Sequence, residues 1–152
     1  MGTIVEDVGK AAEWIAMALS SFGYHADFTP RSLWEIDRFF DEQSHDGDPV
    51  PGGLLSEALG SRVFALGSYV GEVIRRQIGG EWFGDDTDPE AEISVELRLP
   101  DGTICWPVQR VMKRFKNGAE DGIAVYGHAL GLPVGEWKAN SRPEKRPWWI
   151  FC

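Results

Sequence analysis

The chain has 152 residues, a net charge of −9 at neutral pH, a hydrophobic share of 43% and seven Trp. A chain of this length suits one domain that buries roughly 70% of its unfolded surface, so it needs neither metal nor disulfide to fold, and its apolar and aromatic content excludes general disorder. The acidic balance disfavours nucleic acid and anionic membrane as partners and favours solubility, which is the blander and weightier reading, or a basic partner.

The charge is unevenly spread: residues 1–106 hold 20 acidic and 7 basic side chains, residues 107–152 hold 4 and 8. Cys105 and Cys152 are the only cysteines, which is no disulfide framework, so a reducing cytoplasm is the expected compartment. The start, MGTIVEDVGK, lacks the basic-then-apolar order of a secretory leader, and no run approaches the ~20 apolar residues of a membrane span.

In chain order, Val8, Ala12, Ile15, Ala16, Leu19 and Phe22 recur at three- and four-residue spacing, predicting a first helix ended by Gly23. Residues 24–28 read as short and extended. Thr29-Pro30 reads as an N-cap and first-turn proline, opening a second helix to about Gln43 with a stripe of Leu33, Ile36, Phe39 and Phe40 and with Trp34 at its flank. The stretch SHDGDPVPGG, 44–53, is the clearest loop.

A third helix is predicted from about Leu54 to Ile78. Gly60, Gly67 and Gly71 lie inside it, each costing ~1 kcal/mol relative to alanine. Gly67 and Gly71, at i and i+4, would let another element approach the backbone closely. Glu81–Phe83 reads as a short strand, 84–90 as an acidic loop, and 92–99 as an alternating strand with Ile93, Val95, Leu97 and Leu99 on one face. Pro100-Asp101-Gly102 turns it into a hairpin partner at Thr103–Trp106. Pro107 opens a fourth helix with core face Val108, Val111, Met112 and Phe115, and a fifth covers 119–130 with Ile123, Tyr126 and Leu130 inward. The expected class is α+β: N-terminal helices, a small three-stranded antiparallel meander, two further helices and an aromatic C-terminal tail. A single domain is expected over 1–137, followed by a polar linker and tail over 138–152.

The strings DFTPRSLWEIDRFFDE, LGSYVGEVIRRQIGGEW and PVQRVMKRFKNGAEDGI resemble an uncharacterised bacterial domain family, a domain of unknown function with Tyr-x-Gly-Glu-Val, Gly-Gly-x-Trp and Lys-Arg-x-x-Asn-Gly motifs. The resemblance covers residues 25–127 and implies a bacterial cytoplasmic source. It implies no activity and no site residues.

Tyr69, Glu72, Arg75 and Arg76 stand three to four residues apart, so a phenol, a carboxylate and guanidinium groups could share a helix face as an anion site or a general acid and base. The bland account is a Glu72–Arg76 ion pair with Tyr69 half-buried, and it outweighs the functional one because spacing fixes no nucleophile or second carboxylate.

Asp85, Asp86, Asp88 and Glu90 lack the ligand spacing of a calcium loop. His25, His45 and His128 lack that of a zinc site, so neither a metal nor a cofactor is predicted. Cys105, in an apolar strand, reads as an inert thiol unless His128 converges on it. Arg110, Lys113, Arg114 and Lys116 form a basic face of the fourth helix, a thin footprint for nucleic acid and by default a solvated face or one paired with the acidic loop.

Trp148, Trp149, Ile150 and Phe151 are too apolar to stay in water, and they are expected to dock either on the chain's own core or in a groove of a sister subunit or another protein. The favoured expectation is a non-enzymatic binding or adaptor protein, of immunity type or a homodimer, using its acidic surface and aromatic tail. The alternative is a small hydrolase or transferase built around Tyr69, Glu72, Arg75 and Arg76.

Overall fold

A computed structural model describes residues 3–136. The segment 138–152, with Trp148, Trp149, Ile150 and Phe151, lies outside the described residues. The fold is α+β, as expected.

Helix α1, Ile4–Ser21, starts from a capping box in which Thr3 Oγ1 accepts the Glu6 N–H and the Glu6 carboxylate accepts the Thr3 N–H. Its stripe is buried as spaced, except that Phe22 is 65% exposed. The chain is already turning there towards Gly23, at φ +90°, so Phe22 leaves the helical face before it can join the core.

Thr29 spends its hydroxyl on Asp27 (2.6 Å), and the chain enters the next helix through the 3-10 turn Pro30–Ser32. Helix α2, Leu33–Gln43, then buries Leu33, Ile36, Phe39 and Phe40. Inside the expected loop, β1 (Ser44–His45) and β2 (Asp48–Pro49) form a two-residue hairpin. Asp46 and Gly47 both take the positive φ that such tight turns require.

Helix α3 runs from Leu59 to Ile78 rather than from Leu54, because Leu54–Ser56 makes one 3-10 turn and Ala58, at φ +49°, redirects the chain. This helix is the centre of the fold, with α1 packed along it and α5, Pro107–Asn117, across it. A Cβ on Gly67 would lie 2.5 Å from Val108 Cα, and one on Gly71 would strike the Trp82 ring. Both glycines thus admit close neighbours, as their spacing suggests, whereas Gly60 has nothing within 4 Å.

The meander forms in the expected order, with β3 (Glu81–Phe83), β4 (Glu96–Arg98) and β5 (Ile104–Cys105) antiparallel throughout. The alternating segment is shorter as a strand than its pattern implies. Ala91–Ser94 is a single helical turn, α4, closed by Ile93 and Ser94 N–H groups on Glu90 O, and Ile93 is 38% exposed. Val95, Leu97 and Leu99 keep the inward face.

The fifth predicted helix resolves into the 3-10 turn Gly118–Asp121 and α6, Ile123–Ala129. Arg114 corrects the basic-face reading: it is 3% exposed and bonded to Asp37 Oδ1 (2.9 Å), Asp37 O (3.0 Å) and Asp41 Oδ1 (2.7 Å). Asp37 also accepts the Ile123 and Ala124 N–H groups at 2.8 and 2.9 Å, which caps α6 from another helix. Burial pushes the Asp37 carboxyl up, against the two backbone donors and Arg114, which pull it down. One core draws on α1, α2, α3, α5 and α6 together with β4 and β5.

Candidate functional site

The face carrying Tyr69, Glu72, Arg75 and Arg76 is present on α3, and its chemistry is largely committed internally. Tyr69 is fully buried rather than half-buried: Phe28 N–H donates to its hydroxyl at 3.0 Å, and Ser32 Oγ lies 2.7 Å away. Ser32 donates its own proton to Thr29 O (2.6 Å), which leaves the Tyr69 hydroxyl as donor to Ser32. Burial pushes the phenol up to about 12, opposed by the Phe28 N–H that its oxygen accepts. That group holds Phe28 at φ +63°, with the Phe28 ring against Tyr69 (centroids 4.7 Å apart) and the Arg76 guanidinium 3.8 Å from its centre. A strained residue this tightly held is a structural clamp.

Glu72 is buried and takes four donors: Arg75 Nε (2.6 Å) and Nη2 (2.9 Å), Trp82 Nε1 (2.8 Å) and Arg76 Nε (3.3 Å). The leading pair is therefore Glu72–Arg75 at i, i+3, with Arg76 second and shared with Glu13 at 3.2 Å. Burial works against ionising Glu72; the Arg75 and Trp82 hydrogen bonds and the arginine charges outweigh it, so the carboxyl ionises below its usual range. A carboxylate so held is a poor general base, and an anion would have to displace Glu72 or Glu13 from the arginines. Sequence reasoning missed Trp82 as the third partner, although its indole had the Gly71 gap to point into.

The acidic loop is used in turns. Asp85 accepts from Thr87 N and Oγ1, Asp88 accepts the Glu90 N–H, and Asp86 accepts the Ile4 N–H of α1 at 2.6 Å. Among the described residues no group of three potential ligands could hold a metal ion. Cys105 is buried beside the Tyr126 hydroxyl, while His128 is exposed.

A second feature escaped the sequence reading. Leu59, Val63 and Phe64 of α3, Ile93 of α4, and Val108, Met112 and Phe115 of α5 line a groove of about 270 Å³ with Glu92 and Lys116 at its rim. Glu92 also lines an adjoining trough of about 490 Å³ with Asp7, Asp86 and Asp88. The groove was hidden because its walls come from three separate segments, 59–64, 92–93 and 108–116, and because Gly60 has no side chain to fill it. An apolar groove that shares a carboxylate with an acidic trough can hold a segment that is apolar at one end and cationic at the other.

No family model, curated protein or solved structure matches this chain. Residue roles accordingly rest on geometry. No helix among the described residues is long and apolar enough to cross a membrane.

Proposed function

We propose that this protein is a non-enzymatic binding protein whose groove between α3, α4 and α5 receives an aromatic segment flanked by positive charge, presented by a protein partner. The observation that carries this reading is the joined pair of surfaces, apolar around Met112 and acidic around Asp86 and Asp88, meeting at Glu92. Neutralisation of a basic toxin by an immunity-type protein is one form such binding takes. The alternative, a small hydrolase or transferase at Tyr69, Glu72, Arg75 and Arg76, has less support, since each of these groups already serves a structural partner.

The probe is a synthetic peptide of sequence KRPWWIF, which has the required chemistry. The protein is the full chain with Trp148, Trp149, Ile150 and Phe151 replaced by alanine, so that it supplies no aromatic competitor of its own. Saturable binding by calorimetry, weakened by salt and abolished by Met112→Lys, is expected. Absence of binding, or binding indifferent to Met112→Lys, would overturn the reading.

A further inference from the structure

Resting on that binding-protein reading, we infer that the partner seated in the groove is a second copy of this chain, which inserts the exposed Trp14 and Met17 of its α1 while its own groove receives the same pair in return.

The knob is built on α1. Asp7, Lys10, Trp14 and Met17 follow one another at three- and four-residue steps, so they share one face of the helix. Trp14 is 47% and Met17 73% exposed, and Lys10 beside them is exposed as well. The Arg62 guanidinium of α3 lies 4.8 Å from the centre of the Trp14 ring. The result is an aromatic group flanked by two positive charges, the chemistry that the groove and its trough accept, displayed on two packed helices.

Knob and groove lie side by side. Arg62 stands on α3 between Gly60 and Val63, both of which line the groove. Asp7 lines the acidic trough and lies two helical turns before Trp14 on the same face of α1, about 10 Å along the axis at 1.5 Å per residue. Complementary surfaces so close together on one side of a molecule can meet their copies about a single two-fold axis. Reciprocal contacts of that kind close as a dimer instead of running on as a filament.

Charge and space both favour the pairing. Groove and trough are lined by four carboxylates, Asp7, Asp86, Asp88 and Glu92, against one cation, Lys116. Lys10 and Arg62 arriving with the other copy's knob meet that acidic rim, while the indole and the thioether enter the apolar walls around Val63 and Met112. Gly60 leaves the room, since a Cβ there would meet nothing within 4 Å.

Sedimentation equilibrium of the full chain, from about 1 μM to about 1 mM, tests the inference. The mass is expected to rise with concentration from 16.9 kDa to twice that value. Trp14→Ala removes the knob and keeps the groove, whereas Gly60→Phe fills the groove from an unobstructed position and keeps the knob. Losing an aromatic anchor costs about tenfold or more in affinity, and each substitution falls twice in a symmetric dimer, so either variant alone should dimerise about 100-fold more weakly than wild type. An equimolar mixture of the two should recover mass, because the mixed dimer keeps one intact knob in one intact groove and should be about tenfold tighter than either variant with itself. Added KRPWWIF peptide should lower the wild-type mass by competing for the groove. Circular dichroism melts check that both variants fold; should Gly60→Phe melt early, Met112→Lys replaces it as the groove variant.

A wild-type mass fixed at 16.9 kDa, a dimer indifferent to Trp14→Ala, or variants that stay monomeric when mixed would overturn the second-copy inference. The groove reading survives those results if the peptide still binds the chain with the alanine tail and Gly60→Phe abolishes that binding. A peptide that fails to bind, together with a dimer that tolerates Gly60→Phe, removes both.

Discussion

Replacing Gly67 with alanine tests the packing of α5 across α3, on which the groove depends. Alanine favours the helix by ~1 kcal/mol over glycine. Against this, the new Cβ would sit 2.5 Å from Val108 Cα and 2.9 Å from Val108 N, both backbone atoms that no rotamer change can move. Ordinary carbon contacts begin near 3.5 Å, so α5 must retreat by about 1 Å along its whole contact with α3. Overpacking of this kind costs about 1–3 kcal/mol, and the missing side-chain escape places Gly67→Ala at the upper end, for a net loss of about 1–2 kcal/mol. For a chain of this size that lowers the melting temperature by roughly 3–8 °C. Gly60→Ala is the matched control: its Cβ meets nothing within 4 Å, so its melting temperature should equal or exceed wild type. Circular dichroism melts and urea midpoints of the two variants decide the matter. A Gly67→Ala protein that melts at or above wild type would show that the glycine is not there for close approach.

Two further outcomes follow from the buried charges. The ionised form of Glu72 is favoured in the fold, so its contribution is complete above its unfolded value near 4.5 and is lost as pH falls through the lower folded value. Glu72→Gln should therefore cost about 1–2 kcal/mol at pH 7, a figure discounted because Arg75 and Arg76 are more than a third exposed, and the gap to wild type should close as urea titrations move below pH 4.5. Arg114→Met strands Asp37 beneath α6 and should cost about 3–5 kcal/mol, whereas adding Asp37→Asn should recover part of that loss; additive urea-midpoint shifts would contradict the pairing.

The stripes of α1, α2 and α5 were legible because helical period and burial coincide over several turns, and the meander because Pro100-Asp101-Gly102 fixes its hairpin locally. Local pattern misled at Ile93, where four alternating residues fit a helical turn as well as a strand, and only the Glu90 carbonyl decides. Of the candidate site, the proximity of Glu72 to Arg76 was readable from spacing. Arg75 took the shorter bond because Trp82 enters from β3 and fixes the Glu72 rotamer, a contact made across the chain. Arg114 carried a signal that could have been used: Asp37 and Asp41 stand at i and i+4 beside the buried stripe of α2, a pair shaped to hold one guanidinium.

The carboxylate of Asp37 also has a bearing on cooperativity. Alone in water, a seven-residue helix such as α6 would spend most of its time unwound. Its first two free amides are instead secured by a side chain more than 80 positions earlier, which in turn grips a guanidinium from a third segment. Fraying of α6 therefore strips the Asp37 carboxylate of two of its three donors, which leaves Arg114 alone to hold it, and this outlying element is coupled to the body of the molecule.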